Sequence, residues 1–199
     1  MVQSNQTSYD LIWNYENQFA YKVAKQVLHK PRISVWLVLM PILFLYYAHQ
    51  IQQYKAGIHS FSKGLVRTKI IALDSALAEM HTGQKDKEFV NNFDSPDLDS
   101  STEVMRVRDG QLAEVALLKT HYGKLLRQQD ESYGALIRKV YQSISTYRLF
   151  LTQLTQIEKD VMEAVIEAYH PDAEERVVSS KMQESMYLLR EEELKSFFA

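Results

Sequence analysis

The sequence predicts an all-α protein in which one short apolar segment accompanies several long amphipathic helices. The chain of 199 residues contains only 6 glycines and 4 prolines, so it has few of the residues that make the turns of a many-stranded sheet. Leucine, alanine, glutamine, glutamate and lysine are abundant, and all five favour helix. Apolar residues also recur at three- and four-residue intervals, which is the spacing of a helix face.

Charge and cysteine content exclude several functional classes. Lysine and arginine total 23 against 25 acidic residues, a formal net charge of −2, so we expect no nucleic acid partner. The chain has no cysteine, which excludes disulfides, thiolate metal sites and cysteine nucleophiles.

The N-terminal region, residues 1–32, is predicted to form an amphipathic helix from about Ser8 to His29. Its apolar stripe recurs at helical spacing and consists of Ile12, Tyr15, Phe19, Val23 and Val27. The stripe has two interpretations: it lies in the headgroup region of a membrane, or it packs on later helices of the same chain.

Residues 33–51 are predicted to be a transmembrane or re-entrant segment. The 16 residues from Ile33 to Ala48 carry no charge, although as a helix they would reach only about 24 Å of the roughly 30 Å apolar core. Trp36 lies near one end of the run, and Tyr46 and Tyr47 lie at the other. Aromatic rings are enriched at both membrane interfaces, so we expect membrane lipids to be one partner.

Pro41 lies at the midpoint of this run, where it removes a backbone hydrogen bond and clashes with the preceding turn. The segment is therefore either a kinked single span or a re-entrant hairpin. The nearest basic residues favour a single span with the N-terminus inside: Lys22, Lys25, Lys30 and Arg32 before the run, and Lys55 and Lys63 after it. The hairpin stays open, because Arg67 and Lys69 make the two flanks equally basic.

Residues 52–199 are predicted to be a helical, coiled-coil-like region interrupted by a loop. A helix is expected from Gln50 to about Met80, and the loop covers residues 82–101, which are rich in turn and capping residues. The next helix would start at Ser101 or Thr102 and run without proline to His170, about 100 Å if continuous. A division into two helices near residues 129–134 remains open.

A heptad seam begins at Tyr133 and predicts that the long helix packs against another helix, either in a second copy or in a partner protein. The predicted interaction residues are Tyr133, Val140, Ile144, Tyr147, Leu151, Leu154, Val161 and Val165. Glu158 interrupts the seam. Pro171 is expected to end this helix, and residues 172–175 to open the last one.

No common catalytic or phosphate-binding motif is present, so we assign no catalytic, cofactor or metal residue. Glu167 and His170 have the spacing of a di-iron ligand pair, but such sites need a second copy and two further carboxylates. The sequence favours a membrane-anchored scaffold, adaptor or assembly protein. The alternatives are a helical bundle that binds a metal or small ligand and a lipid-handling protein with a re-entrant anchor.

Overall fold

In a computed structural model, the described residues are 2–28, 41–83 and 102–199, and side chains are described for 7–28, 52–83 and 102–199. These residues form helices with no strand among them, which confirms the all-α class. The helices are α1 Val2–Val27, α2 Pro41–Thr82, α3 Thr102–Leu126, α4 Tyr133–Tyr141, α5 Ile144–Tyr169 and α6 Ala173–Phe197.

α1 and α2 form an antiparallel pair. The Tyr9 hydroxyl donates to Asp74 at 2.7 Å, and Lys69 pairs with Glu16 at 3.0 Å. Further along α1, the Leu28 side chain lies 3.7 Å from where a Cβ on Gly57 would be. The apolar stripe of α1 faces α2 and the rest of the bundle, since its residues Ile12, Phe19, Val23 and Val27 are buried.

The remaining long helices close a ring. α3 runs parallel to α2, with Lys119 pairing to Glu79 at 2.7 Å, and α5 runs antiparallel to α3, with Arg106 pairing to Glu167. α6 then packs between α5 and α1: Arg190 reaches Glu158 on α5. The ring order is therefore α1, α2, α3, α5, α6 and back to α1.

The short helix α4 covers one end of this ring, where it contacts α1, α3, α5 and α6. α4 is strongly amphipathic: Tyr133, Leu136 and Ile137 are buried, while Arg138 and Lys139 are exposed. The core under α4 is continuous with the core between the long helices.

The chain between Thr102 and His170 breaks twice, so it does not form the continuous helix of about 100 Å that the sequence left possible. The first break, after Leu126, lies where the sequence left a division open. The second, at Gln142 and Ser143, was not predicted. Ser132 and Ser143 each cap the following helix, accepting hydrogen bonds from backbone N–H groups at 3.3 and 3.2 Å, and such local bonds compete with helix continuation. Gln142 adopts a left-handed conformation with φ of 59°, which ends α4.

The boundary between α5 and α6 agrees with the prediction. His170 ends α5 in a left-handed conformation, with φ of 45°. Asp172 then caps α6: its side chain accepts from the Glu175 N–H at 2.8 Å, and the Glu175 carboxylate accepts from the Asp172 N–H at 2.9 Å. This reciprocal pair is a capping box.

The predicted membrane segment lies partly outside the described residues. Ile33 and Trp36 fall there, whereas Pro41, Tyr46, Tyr47 and Ala48 lie in the first turns of α2, with the backbone alone described. Pro41 is the first residue of α2, where its missing N–H costs no helical hydrogen bond. Within the described ranges, no helix has a stretch that is both long and apolar enough to cross a membrane. Of the predicted loop 82–101, residues 84–101 lie outside the described residues.

Candidate functional site: an interior cavity

Charged side chains form a buried layer across the middle of the ring. Glu16, Lys69 and Arg190 are 5%, 8% and 6% exposed, values at which charges are normally paired. Lys69 lies 3.0 Å from one Glu16 oxygen, and the Tyr122 hydroxyl donates to the other at 2.8 Å. Glu16 therefore has partners on two neighbouring helices.

Arg190 and Glu158 form the second pair of this layer. The two guanidinium Nη atoms lie 2.6 and 2.7 Å from the two carboxylate oxygens, which is the bidentate arrangement that holds buried arginine best. Arg190 also donates to the Thr155 hydroxyl at 3.0 Å. This fork joins α6 to α5.

Glu114 on α3 is the third carboxyl of the layer, and it differs from the other two. It is partly buried, and it forms no ion pair or hydrogen bond with another described residue. Burial, and after it the nearby Glu158 carboxylate, raise the pKa of Glu114 to about 7, against the smaller lowering effects of Lys69 and of Arg190. The carboxyl is thus close to half protonated near neutral pH.

Glu114 borders a cavity of about 200 Å³ that all five long helices line and that is open to solvent on one side. The opposite walls are mainly apolar and include Met162, Met182 and Met186. Thioether side chains are flexible and adapt to differently shaped ligands. The cavity therefore combines an adaptable apolar body with a polar end.

Gly64 on α2 lies at the exposed edge of this cavity. A Cβ added there would meet nothing within 4 Å. Glycine inside a helix costs roughly 1 kcal/mol relative to alanine, so its presence here leaves space at the mouth at some expense in helix stability.

The bundle end covered by α4 holds another buried titratable group, His121. Its Nδ1 lies 2.6 Å from the Tyr141 hydroxyl, its Nε2 lies 3.3 Å from that of Tyr133, and its ring stacks on Phe150 at 4.1 Å. Burial, followed by Lys124 and Lys69, lowers the pKa of His121 to about 3. The imidazole is therefore neutral and acts in packing.

The Glu167 and His170 pair does not form a metal site in the described structure. Glu167 pairs with Arg106, and His170 lies exposed at the end of α5. Among the described residues, no group of three or more histidine, aspartate or glutamate side chains is arranged to hold a metal ion.

The predicted interaction seam is divided between three environments. Tyr133, Tyr147, Leu151 and Leu154 are buried in the core, and Val140 is partly buried against it. Val161 and Val165 line the cavity, and Ile144 is 38% exposed. The chain's own helices therefore cover most of the seam, and pairing between chains through it stays a prediction.

Sequence reasoning missed Glu16, Lys69 and Glu114, although two signals were present. Glu16 falls on the buried stripe of α1, between Ile12 and Phe19. Glu158, noted as the interruption of the seam, is the partner of Arg190. A charge on an apolar face indicates a buried partner, but not which residue supplies it.

Comparisons of the chain with protein-family models, with curated proteins and with solved structures give no match. Function is therefore inferred from the chemistry of the cavity and its neighbours.

Proposed function

We propose that this protein is a membrane-tethered helical bundle that binds a small ligand in its interior cavity. The observation that carries the proposal is an apolar space of about 200 Å³ that ends at a carboxyl without a protein partner among the described residues. Small-molecule sites typically combine apolar walls with a few convergent polar groups. An apolar cavity of about 150 Å³ is already large enough to bind benzene.

The tether in this proposal is the apolar segment 33–51, in its re-entrant form. α1 and α2 lie on either side of residues 29–40 along the chain, and they pack on each other in one bundle. A single span between them would put the two helices on opposite sides of a membrane, where the Glu16–Lys69 ion pair could not form. The antiparallel packing thus supports the hairpin over the single span that basic residues favour.

Cysteine labelling tests the tether, since the chain has no cysteine of its own. Asn14 on α1 and Ser180 on α6 are exposed and suit single substitutions to cysteine. A membrane-impermeant maleimide should label both sites to the same extent in intact cells, and again after permeabilisation. The membrane fraction should also resist alkaline washing.

Unequal labelling of Asn14→Cys and Ser180→Cys in intact cells would exclude the hairpin and restore the single span. Release of the protein by alkaline washing would contradict a tether of either kind.

Ligand binding is tested by filling the cavity. Gly64→Leu should place an apolar side chain at the mouth, where its Cβ would meet nothing within 4 Å, and it also raises helix propensity. We expect small apolar probes to raise the melting temperature of the wild type and to have no effect on this variant. Gly123→Leu is the matched control: Gly123 also lies in a helix with open space around its Cβ position, but it lines a separate, more polar cavity of about 230 Å³ between α2 and α3, so apolar probes should stabilise this variant as they do the wild type.

A second candidate function is association with another protein chain, in the sense of a scaffold or adaptor. Large apolar side chains are exposed on the outer faces of α5 and α6: Leu149 is 67% exposed and Leu188 is 51% exposed. Leu149→Asp should shift the sedimenting mass with little change in stability. Leu151→Asp, at the buried seam, should instead unfold the monomer, and a wild type that is monomeric at all concentrations would rule out self-association.

A further inference from the structure

We infer that the cavity takes a small amphiphilic cation, an amine with an apolar chain of about seven carbons, whose ammonium group pairs with Glu114. This inference rests on the proposed ligand-binding function and names the chemical class of ligand. It follows from three features of the site: the charge balance of the buried layer, the position of Glu114 and the size of the space.

The buried layer carries three carboxyl groups and two cations. Lys69 is engaged by Glu16 and Arg190 by Glu158, so both buried cations already have a carboxylate. Glu114 is the carboxyl left over. When it ionises, the layer has one negative charge without a partner at a partly buried position, and such a charge is less stable than one that is paired. A cationic ligand supplies that partner.

An anionic amphiphile would meet the opposite situation. Its carboxylate could approach Lys69, but Lys69 already lies 3.0 Å from Glu16, and Glu114 and Glu158 border the same cavity. Like charges at partly buried positions repel more strongly than like charges in bulk water. The residues on the cavity wall thus discriminate against an acid of the same size.

The other polar groups at this end can complete the binding of an ammonium. Thr68 and Gln111 line the cavity beside Lys69 and Glu114, and the hydroxyl and amide oxygens of such side chains accept hydrogen bonds. An ammonium has three N–H donors, so one carboxylate and two neutral acceptors match its donors in number.

The volume sets the chain length. Since an apolar cavity of about 150 Å³ holds the six carbons of benzene, about 200 Å³ accommodates roughly eight non-hydrogen atoms. Heptylamine, heptan-1-ol and hexanoate each have that size and differ in the charge of the head group. They form a matched set of probes.

The test is calorimetric titration of the full-length protein in lipid nanodiscs with each probe at pH 8, with empty nanodiscs as blank. Heptylamine should bind at least about 10-fold more tightly than heptan-1-ol, the difference expected for a charge-assisted hydrogen bond. Hexanoate should bind most weakly. Glu114→Gln should bring heptylamine to the affinity of heptan-1-ol and leave heptan-1-ol unchanged, whereas the exposed Glu192→Gln should match the wild type.

The outcomes distinguish failure of the cation assignment from failure of the proposed ligand-binding function. If heptan-1-ol binds and Gly64→Leu abolishes its binding, but heptylamine shows no preference, the cavity binds ligands and the cation assignment is wrong. Tighter binding of hexanoate would likewise overturn the assignment in favour of an anion at Lys69. If no probe binds, or if Gly64→Leu leaves every affinity unchanged, the proposed function fails together with the inference.

Discussion

The end of the bundle under α4 is filled by aromatic rings, whereas the half around the cavity is lined by methionines and buried charges. We call the first the aromatic end, formed by Tyr15, His121, Tyr133, Tyr141, Tyr147, Phe150 and Phe197. The second is the cavity half, formed by the lining residues of α1, α2, α3, α5 and α6. Both belong to one ring of helices, so the difference lies in the side chains.

Ring geometry explains why the aromatic end leaves a space of only about 20 Å³. The rings of Tyr15 and Tyr133 stack at 3.6 Å and 9°, and the rings of His121 and Phe150 stack at 4.1 Å and 16°. Flat, rigid rings that pack face to face leave little space between them. Flexible thioethers do not define a packing in this way, so the cavity half keeps a space that a ligand can enter. The comparison suggests that one end supplies stability and the other supplies binding.

The largest effect is expected from breaking the fork between α5 and α6. Arg190→Met leaves Glu158 buried without its cation and should lower the free energy of unfolding by about 3 to 5 kcal/mol, as measured by urea denaturation. Arg148→Met is the control: its bond to Glu191 is 3.3 Å long and largely exposed, so it should cost less than about 1 kcal/mol. Restoration of stability in the Arg190→Met, Glu158→Leu double variant would locate the cost in the unpaired carboxylate. Equal effects of Arg190→Met and Arg148→Met would refute a special role for the buried pair.

Acid should destabilise the aromatic end through His121. Its folded pKa of about 3 lies below the usual 6.5, so the unfolded chain binds the proton more readily, and stability falls as the pH is lowered from 6.5 toward 3. The full loss is on the order of 5 kcal/mol. Comparing unfolding of the wild type and His121→Gln across this range isolates the contribution. Parallel pH curves would contradict a buried neutral imidazole.

The cavity half should respond to pH with the opposite sign. The folded pKa of Glu114, about 7, lies above its usual value of about 4.3. The contribution of Glu114 to folding stability is therefore fully present below about pH 4.3. It is lost as the pH rises toward 7, by on the order of 3 to 4 kcal/mol. Lys69, Arg190, Glu16 and Glu158 face the same carboxyl. In Glu114→Gln, thermal unfolding at pH 8 should therefore occur at a higher temperature than in the wild type, while the two proteins should agree at pH 4.

The smallest effects should come from two glycines, one in each region. A Cβ on Gly134 would lie 2.8 Å from the Phe197 ring, which is held by Tyr15 and Tyr133, so Gly134→Ala should cost about 1 to 3 kcal/mol. Gly64→Ala meets nothing and should gain up to about 1 kcal/mol. Chemical denaturation of both variants measures the contrast. A stabilising Gly134→Ala would mean that the aromatic end is as loosely packed as the cavity half.

Much of the helical architecture could be predicted from local patterns. The stripe of α1 and the end of α5 at His170 each depend on residues a few positions apart. The second break, at Gln142 and Ser143, was missed because apolar spacing continues across it. Periodicity counts residues, whereas a cap depends on hydrogen bonds made by one serine.

The candidate site could not be predicted, because its members are far apart along the chain. Tyr122 and Glu16, which share a hydrogen bond, are separated by 106 positions, and Arg190 and Glu158 by 32. Each looks alone like an ordinary charge on a helical surface.

The sequence by itself determined that this chain is helical, where its first helix presents an apolar face, and that residues 33–48 are uncharged. Only the tertiary structure decided that the seam beginning at Tyr133 packs mostly inside one chain and that three carboxyls meet two cations beside a cavity. The physical reason is that helix formation is set by neighbours three and four residues apart. The pairing of buried charges depends instead on which helices the whole core brings together.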